Sequence, residues 1–241
     1  MKKYDFSLDG IPISVITEGL DTTVRRAVAD TLCDGGYAVL VYPDETADFG
    51  VTCIDKNNLE LREPHLALAA LSCFFKKVRR FPDITLDLTY CGERYELIID
   101  GERKSFTVNV GKCKFICAKT AKFPDGIELC ADVVDCGYGC VSTLCYNCEC
   151  FDADRLRRLP TLLGMRHDTP AVAISYAEKL CVRTTGAIPF YDAVAVAVSM
   201  LVRSCVPVAY GPLVACVDDC EHEIYYSSGR LSFYPNIKYL Y

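Results

Sequence analysis

The stretch that decides the fold is GGYAVLVYPDETADFGVTCIDKNNLELREPHLALAALSCFF, residues 35–75. Gly35-Gly36 breaks a helical pattern that precedes it. YAVLVYP (37–43) and DFGVTCID (48–55) are apolar and rich in strand formers, so both read as strands. NNLELRE (57–63) follows a turn and leads into Glu63-Pro64-His65. From there the spacing predicts a helix of small and apolar residues over 64–78. Pro64 suits the first helical position, because its missing N–H would have no partner there anyway. The run Lys76-Lys77-Val78-Arg79-Arg80 closes this helix with cations that complement the negative end of its dipole. That reading is preferred to a phosphate-binding patch.

Upstream, IPISVIT (11–17) is a strand, and residues 22–32 have helical spacing with Asp21 as N-cap. Downstream, ITLDLTY (84–90) and ERYELIID (93–100) alternate around Cys91-Gly92, a hairpin signal. KSFTVNVG (104–111) adds a strand. The second half repeats the plan. VVDCGYGCVSTLCY (133–146) reads as extended, and Asp152 caps a short helix through Leu159 that Pro160 interrupts. PAVAISYA (170–177) and KLCVRT (179–184) are strands. DAVAVAVSMLVR (192–203) alternates, but its length and its echo of the first small-residue helix favour a helix. VPVAYGPLVACV (206–217), HEIYYSS (222–228), a Gly229 turn and RLSFYPNIKYLY (230–241) close the chain. The best boundary between halves is KTAKFPDG (119–126).

At 241 residues the chain can bury a substantial core. Its net charge of −6 gives no electrostatic case for nucleic acid. No apolar run approaches the ~20 residues that span a bilayer, so no membrane partner is expected. MKKYDFSLDG turns polar too soon for a signal peptide, and the expected location is cytoplasmic. The sixteen cysteines are expected as reduced, core-filling thiols. Cys140, Cys145, Cys148 and Cys150 have only one metal-like C-x2-C step and no paired second knuckle. No phosphate loop, Ser/His/Asp spacing or HExxH motif is present. His167 is expected in a loop, and His222 as a structural residue at the start of a strand.

In order and pattern, most of the chain resembles the diaminopimelate epimerase fold, shared with phenazine-biosynthesis isomerases and proline racemases. Residues 35–75 resemble that family's strands and its Cys-Gly-Asn-Gly or Cys-Gly-His turn into a helix. ITLDLTYCGERYELIIDGERKSFTVNVGKCKF (84–115) resembles its hairpins. ADVVDCGYGCVSTLCYNCECFDADRLRRL (131–159) resembles the segment with Gly-Asn-Pro-His, and HEIYYSSGRLSFYPNIKYLY (222–241) the closing hairpin and last strand. The resemblance implies an α+β fold of two similar halves, each a mixed sheet or barrel wrapped around a central helix. The halves would be residues 1–116 with a returning strand at 231–241, and residues 117–230.

The resemblance also implies a site between two helix N-termini. Their N–H groups and positive dipole ends hold a substrate carboxylate. Two acid–base groups then move a proton at the α-carbon without a cofactor. The family's epimerases use cysteines for this. Here Glu63-Pro64-His65-Leu66 stands at the first mouth, and the histidine matches the isomerase-like variant. For the second mouth, Asp192-Ala193-Val194-Ala195 is preferred to Thr184-Thr185-Gly186-Ala187. The latter would put Arg183 at the cysteine position and needs an overlong helix holding Pro189. Gly137-Tyr138-Gly139-Cys140 replaces Gly-Asn-Pro-His, and Leu8-Asp9-Gly10-Ile11 replaces an N-terminal Gly-Asn-Asp-Phe-like turn. The family's substrate-gripping Glu-Arg pair is not visible after Arg183.

The expected catalytic residues are therefore Glu63 and Asp192, with His65 shuttling a proton or binding a substrate oxygen. Leu66, Ala193, Val194, Gly137 and Tyr138 are the expected substrate contacts. No metal is expected. Loss of both cysteines argues against diaminopimelate epimerase activity itself. Set against this, and slightly preferred on these residues alone, Glu63 and Asp192 read as acidic helix caps, and His65 as a cap or surface residue. Three function classes stand: an isomerase of an amino acid or small carboxylate, a silent member binding a small carboxylate or a protein partner, and a thiol or metal protein built on Cys140–Cys150. The sequence leaves a homodimer open.

Overall fold

Asp9 and Gly10 both take positive φ, 50° and 87°, and fold the first two strands into a tight hairpin. The computed structural model describes residues 2–17, 21–78, 83–110, 113–137, 139–145, 152–185, 188–204, 211–218 and 220–240. Two compact units emerge, Met1–Asn109 with Ser232–Tyr241, and Val110–Leu231.

In the first unit, β1 (Lys3–Leu8) is antiparallel to β2 (Ile11–Ile16). Helix α1 (Thr22–Ala29) follows, and the Asp21 carboxylate accepts the Thr23 N–H at 3.0 Å as its N-cap. The chain returns as β3 (Tyr37–Tyr42), parallel to β2, then turns into antiparallel β4 (Phe49–Asp55). The short β5 (Glu60–Leu61) pairs with β4 and leads to α2 (His65–Val78). Beyond α2, β6 (Asp83–Tyr90) lies parallel to β4. A turn with both Cys91 and Gly92 at positive φ joins β6 to β7 (Glu93–Asp100), and β8 (Ser105–Asn109) completes a meander.

In the second unit, β9 (Lys114–Lys122) is antiparallel to β10 (Glu128–Asp135), which is antiparallel to β11 (Cys140–Cys145). Helix α3 (Ala153–Leu162) crosses to β12 (Ala171–Tyr176), parallel to β11 and antiparallel to β13 (Leu180–Thr184). Helix α4 (Phe190–Arg203) crosses to β14 (Gly211–Val217), parallel to β13 and antiparallel to β15 (Cys220–Ser227). After β16 (Arg230–Phe233), β17 (Ile237–Tyr239) pairs antiparallel with β1, so the last strand returns to the first unit. From β1 and from β10 onward, each unit runs antiparallel, parallel, antiparallel, parallel, antiparallel. A helix spans each parallel step, as parallel pairing requires.

Helix α2 explains the core of the first unit. Residues 64–75 are all buried, and α2 touches β1, β2, β3, β4, β7 and β8. A helix apolar on every side is stable only when covered on every side. Ala67, Ala69 and Ala70 let the strands approach closely. On the other face of the strands, Val28 and Ala29 of α1 pack against Ile16, Ala38, Leu40 and Ile54. Because α1 and α2 cover opposite faces, the middle of β3 is buried on both sides. It therefore reads as a continuous apolar run rather than an alternating one.

In the second unit, Tyr191–Leu201 of α4 is buried, and α4 contacts β12, β13 and β14. Leu156 and Leu159 of α3 pack with Ala121, Ala131, Ala171 and Ala173.

The molecule is α+β, as the sequence reading expects. Three local expectations are corrected. Residues 133–146 are not one extended run: β10 ends at Asp135 and β11 begins at Cys140. Much of the boundary stretch 119–126 lies in β9, which the reading missed; Phe123 and Gly126 then turn the chain back through Phe123 N–H to Ile127 C=O and Gly126 N–H to Phe123 C=O. Pro160 lies inside α3, and the helix runs two residues past it. The Leu156, Leu159 and Pro160 side chains are buried together, which offsets the hydrogen bond that proline removes. The helix then ends in a Schellman pattern. Gly164 at φ 71° donates to Thr161 C=O, and Met165 N–H donates to Pro160 C=O at 2.8 Å.

Candidate functional site

The mouth of α2 is set by a buried tyrosine. The Tyr90 hydroxyl, on a side chain 1% exposed, donates to the Leu61 carbonyl two residues before Glu63. Pro64 immediately precedes the helix, and its carbonyl accepts the Leu68 N–H at 3.0 Å. Proline is thus the capping residue rather than the first helical one, a shift of one position. His65 opens the helix and is 4% exposed, which removes the surface-histidine reading. The Leu66 side chain is fully buried, so only its main chain could meet a ligand. First-turn N–H groups lack intrahelical acceptors and carry the positive end of the dipole.

Glu63 is half-buried in front of this mouth. Burial is the main reason the Tyr37 hydroxyl and the Cys91 thiol are pushed above their ordinary values, and the negative charge of Glu63 adds to both. Glu60 contributes a second carboxylate nearby, accepting from the Thr52 hydroxyl at 3.2 Å and lying 3.9 Å from Arg25 and from Cys91 Sγ. The α2 mouth therefore places a half-buried carboxylate, a buried imidazole and a helix N-terminus side by side along the chain.

Helix α4 begins in the same way. Pro189, at φ −60° and ψ 153°, is its N-cap, and the Pro189 carbonyl accepts the Ala193 N–H at 2.9 Å. The expected start at Asp192 is corrected by two residues, because Pro189 supplies the extended cap and Phe190 and Tyr191 already belong to the helix. Asp192 is the third helical residue and is 0% exposed. A first-turn acid is stabilised there by the dipole. Aligning the two prolines matches Glu63 with Ile188, His65 with Phe190, and Asp192 with Ala67. The Ala193 and Val194 side chains are fully buried, and the Ala193 N–H is used within the helix.

Arg183 lies within β13 opposite Ala173, not at a helix start; Gly186 and Ala187 lie outside the described residues. Sequence reasoning missed an aromatic contact at this mouth. The His222 ring, within β15, lies 4.1 Å from the Phe190 ring. No local signal links them, because they meet only through the β13–β14–β15 pairing.

Gly137, at φ 89°, lies between β10 and β11 and donates its N–H to Asp135 Oδ1 at 2.9 Å. Tyr138 lies outside the described residues, as do Arg79, Arg80, Cys148 and Cys150. Cys140 and Cys145 are the terminal residues of β11. His167 is in the loop after α3. Among the described residues no group of three or more His, Cys, Asp or Glu is placed to hold a metal. No described helix is long and apolar enough to cross a membrane.

No family model matches the sequence, and no curated protein matches it. Solved structures do match in fold. A predicted epimerase from Pseudomonas aeruginosa superposes with a TM-score of 0.67 at 13% identity, covering 99% of this chain and 96% of that one. A PhzF-family phenazine biosynthesis protein from Bacillus anthracis gives 0.64 at 11% identity, covering 100% and 98%. A hydroxyproline epimerase from Agrobacterium vitis, solved with bound trans-4-hydroxy-L-proline, gives 0.61 at 10% identity, covering 99% and 92%. The chain has the fold of these epimerase and PhzF structures along its whole length.

Proposed function

We propose that this protein moves a proton at a carbon acid, as a cofactor-independent isomerase of a small amino acid or a related carboxylate. The observation that carries the proposal is the α2 mouth. There the half-buried Glu63 precedes the capping Pro64 of a helix that is buried over residues 65–75 and whose first residue is His65. The fold shared with solved epimerases supports it, and so does the topology that recurs in the two compact units, which favours reading the chain as two similar halves.

In this reading first-turn N–H groups hold the substrate carboxylate and stabilise the charge that develops as the α-proton leaves. Glu63 takes that proton, and His65 holds a substrate oxygen or relays a proton. Neither mouth carries a cysteine, so the thiol-pair chemistry of diaminopimelate epimerase is not proposed.

A second reading, a silent family member that binds a small carboxylate, is favoured by Ile188. This apolar residue stands where the α4 mouth would need a match for Glu63.

The test is exchange in deuterium oxide. A panel of amino acids and hydroxyprolines is incubated with the protein, and loss of the α-proton signal is followed by NMR. Exchange with at least one member is expected. Glu63→Gln should slow it by roughly 10²–10⁴ with the circular dichroism unchanged. Binding of a panel member by calorimetry without exchange assigns the silent reading instead.

A further inference from the structure

We propose that Cys113 and Cys136 form a thiol–disulfide site, a dithiol built to close on encounter with a low-molecular-weight disulfide. The two sulfurs lie 3.3 Å apart, and both residues are thiols.

Their meeting follows from the strand register. From Glu128↔Lys122 to Val133↔Cys117 the β9–β10 ladder holds one register, and between Val133 and Val134 it shifts by one residue. The extra residue is Ile116, a bulge on β9. After the bulge the pairs are Val134↔Phe115 and Asp135↔Lys114, so the next pair outward is Cys136 and Cys113. Without the bulge Cys136 would face Lys114. Re-aiming a side chain is a common use of such bulges. Directly opposed residues of an antiparallel pair have Cα atoms about 4.5–5.5 Å apart, within the roughly 4.4–6.8 Å that a disulfide spans. Closing the sulfurs to bonding distance needs an approach of about 1.2 Å.

Both backbones are held in place. The Cys113 N–H donates to Ser199 Oγ at 3.0 Å, and the Cys136 N–H donates to Gly139 C=O at 3.1 Å. Both cysteines are partly exposed. Cys113 lines a cavity of about 350 Å³ with Val110, Ser199, Val202, Arg203 and Tyr226, which gives a small disulfide room to reach it.

The chemistry balances as two exchanges. One cysteine, as thiolate, attacks the reagent RS–SR, forms a mixed disulfide and releases RS⁻. The other, after losing its proton to solvent, attacks that mixed disulfide, forms the Cys113–Cys136 bond and releases a second RS⁻. The protein loses two electrons and the reagent gains them. The product staples Cys136, just after β10, to Cys113, just before β9.

The test uses the reduced protein in its native state. It is exposed to oxidised glutathione, quenched with acid, blocked with N-ethylmaleimide, digested without reductant and mapped by mass spectrometry. A linked Cys113–Cys136 peptide pair, with two of the sixteen thiols lost, is the expected result. In Cys113→Ser the link disappears and Cys136 carries glutathione; in Cys136→Ser the adduct sits on Cys113. Recovery of both wild-type residues as maleimide adducts while other cysteines oxidise overturns the proposal. So does equal or faster closure of Cys181 on Cys216, which are partners in the parallel β13–β14 ladder.

Discussion

Asp218 grips Thr184 twice: the Thr184 hydroxyl donates to Oδ2 at 2.6 Å, and the Thr184 N–H donates to Oδ1 at 2.9 Å. The pair fixes the end of β13, where the chain departs towards α4. Asp218 itself is held at φ 45°, a conformation that aspartate and asparagine tolerate better than most residues. Asp218→Ala removes both acceptors and should lower stability by about 1–2 kcal/mol. Asp218→Asn keeps one acceptor and the backbone preference, and should cost about half as much. Urea unfolding of the three proteins checks this order, and coincident midpoints would refute it.

Asp44 should give the fold a measurable acid limb. Its carboxylate accepts from the Thr89 hydroxyl at 2.6 Å, and from the Thr46 N–H and hydroxyl at 2.7 Å each. These bonds, Thr89 first, lower its pKa from 3.8 to about 2. A depressed folded-state pKa stabilises above the unfolded value and ceases to do so as pH falls through the folded one. The stability difference between wild type and Asp44→Asn should therefore be full above pH 3.8 and shrink as pH falls towards 2. A carboxyl titration by NMR with an ordinary midpoint for Asp44 would contradict this.

Gly50 and Tyr42 should be energetically coupled. They are register partners in the β3–β4 pair, and a Cβ on Gly50 would lie 2.0 Å from Tyr42 Cε2 and 2.5 Å from Cζ. The ring lies over the missing side chain. Gly50→Ala must displace it and should cost about 1–3 kcal/mol. The same change in a Tyr42→Ala background should be nearly neutral. A double-mutant cycle with no coupling would show that the ring swings aside freely.

Much of the architecture was legible because it is written in local periodicity. The helix at 65–78 was visible as an apolar run without charge, closed by Lys76 and Lys77. The Cys91-Gly92 hairpin and the Asp21 and Asp152 caps were visible as turn and cap chemistry. Prolines were harder to read. Pro160 looked like a stop, and Pro189 counted only against a helix from Arg183, yet one lies inside a helix and the other caps one. What a proline does depends on whether burial around it offsets its lost hydrogen bond, and that is not a local property. The candidate site was half legible for the same reason. Glu63 and His65 were found by their adjacency to a helix start. The contact of His222 with Phe190 joins residues brought together only by strand order.

By itself the sequence determined many of the strands, though not β1 or β9, which helices must be enclosed, and that carboxylates stand near both small-residue helix starts. Hydrophobic spacing and cap chemistry act over a few residues and need no partner to be read. Only the tertiary structure decided that Pro189 rather than Asp192 opens α4, that Asp192 is wholly buried, and that a bulge at Ile116 sets Cys113 against Cys136. Register and burial are settled by which distant segments pair, and a one-residue shift in that pairing changes which side chain meets which.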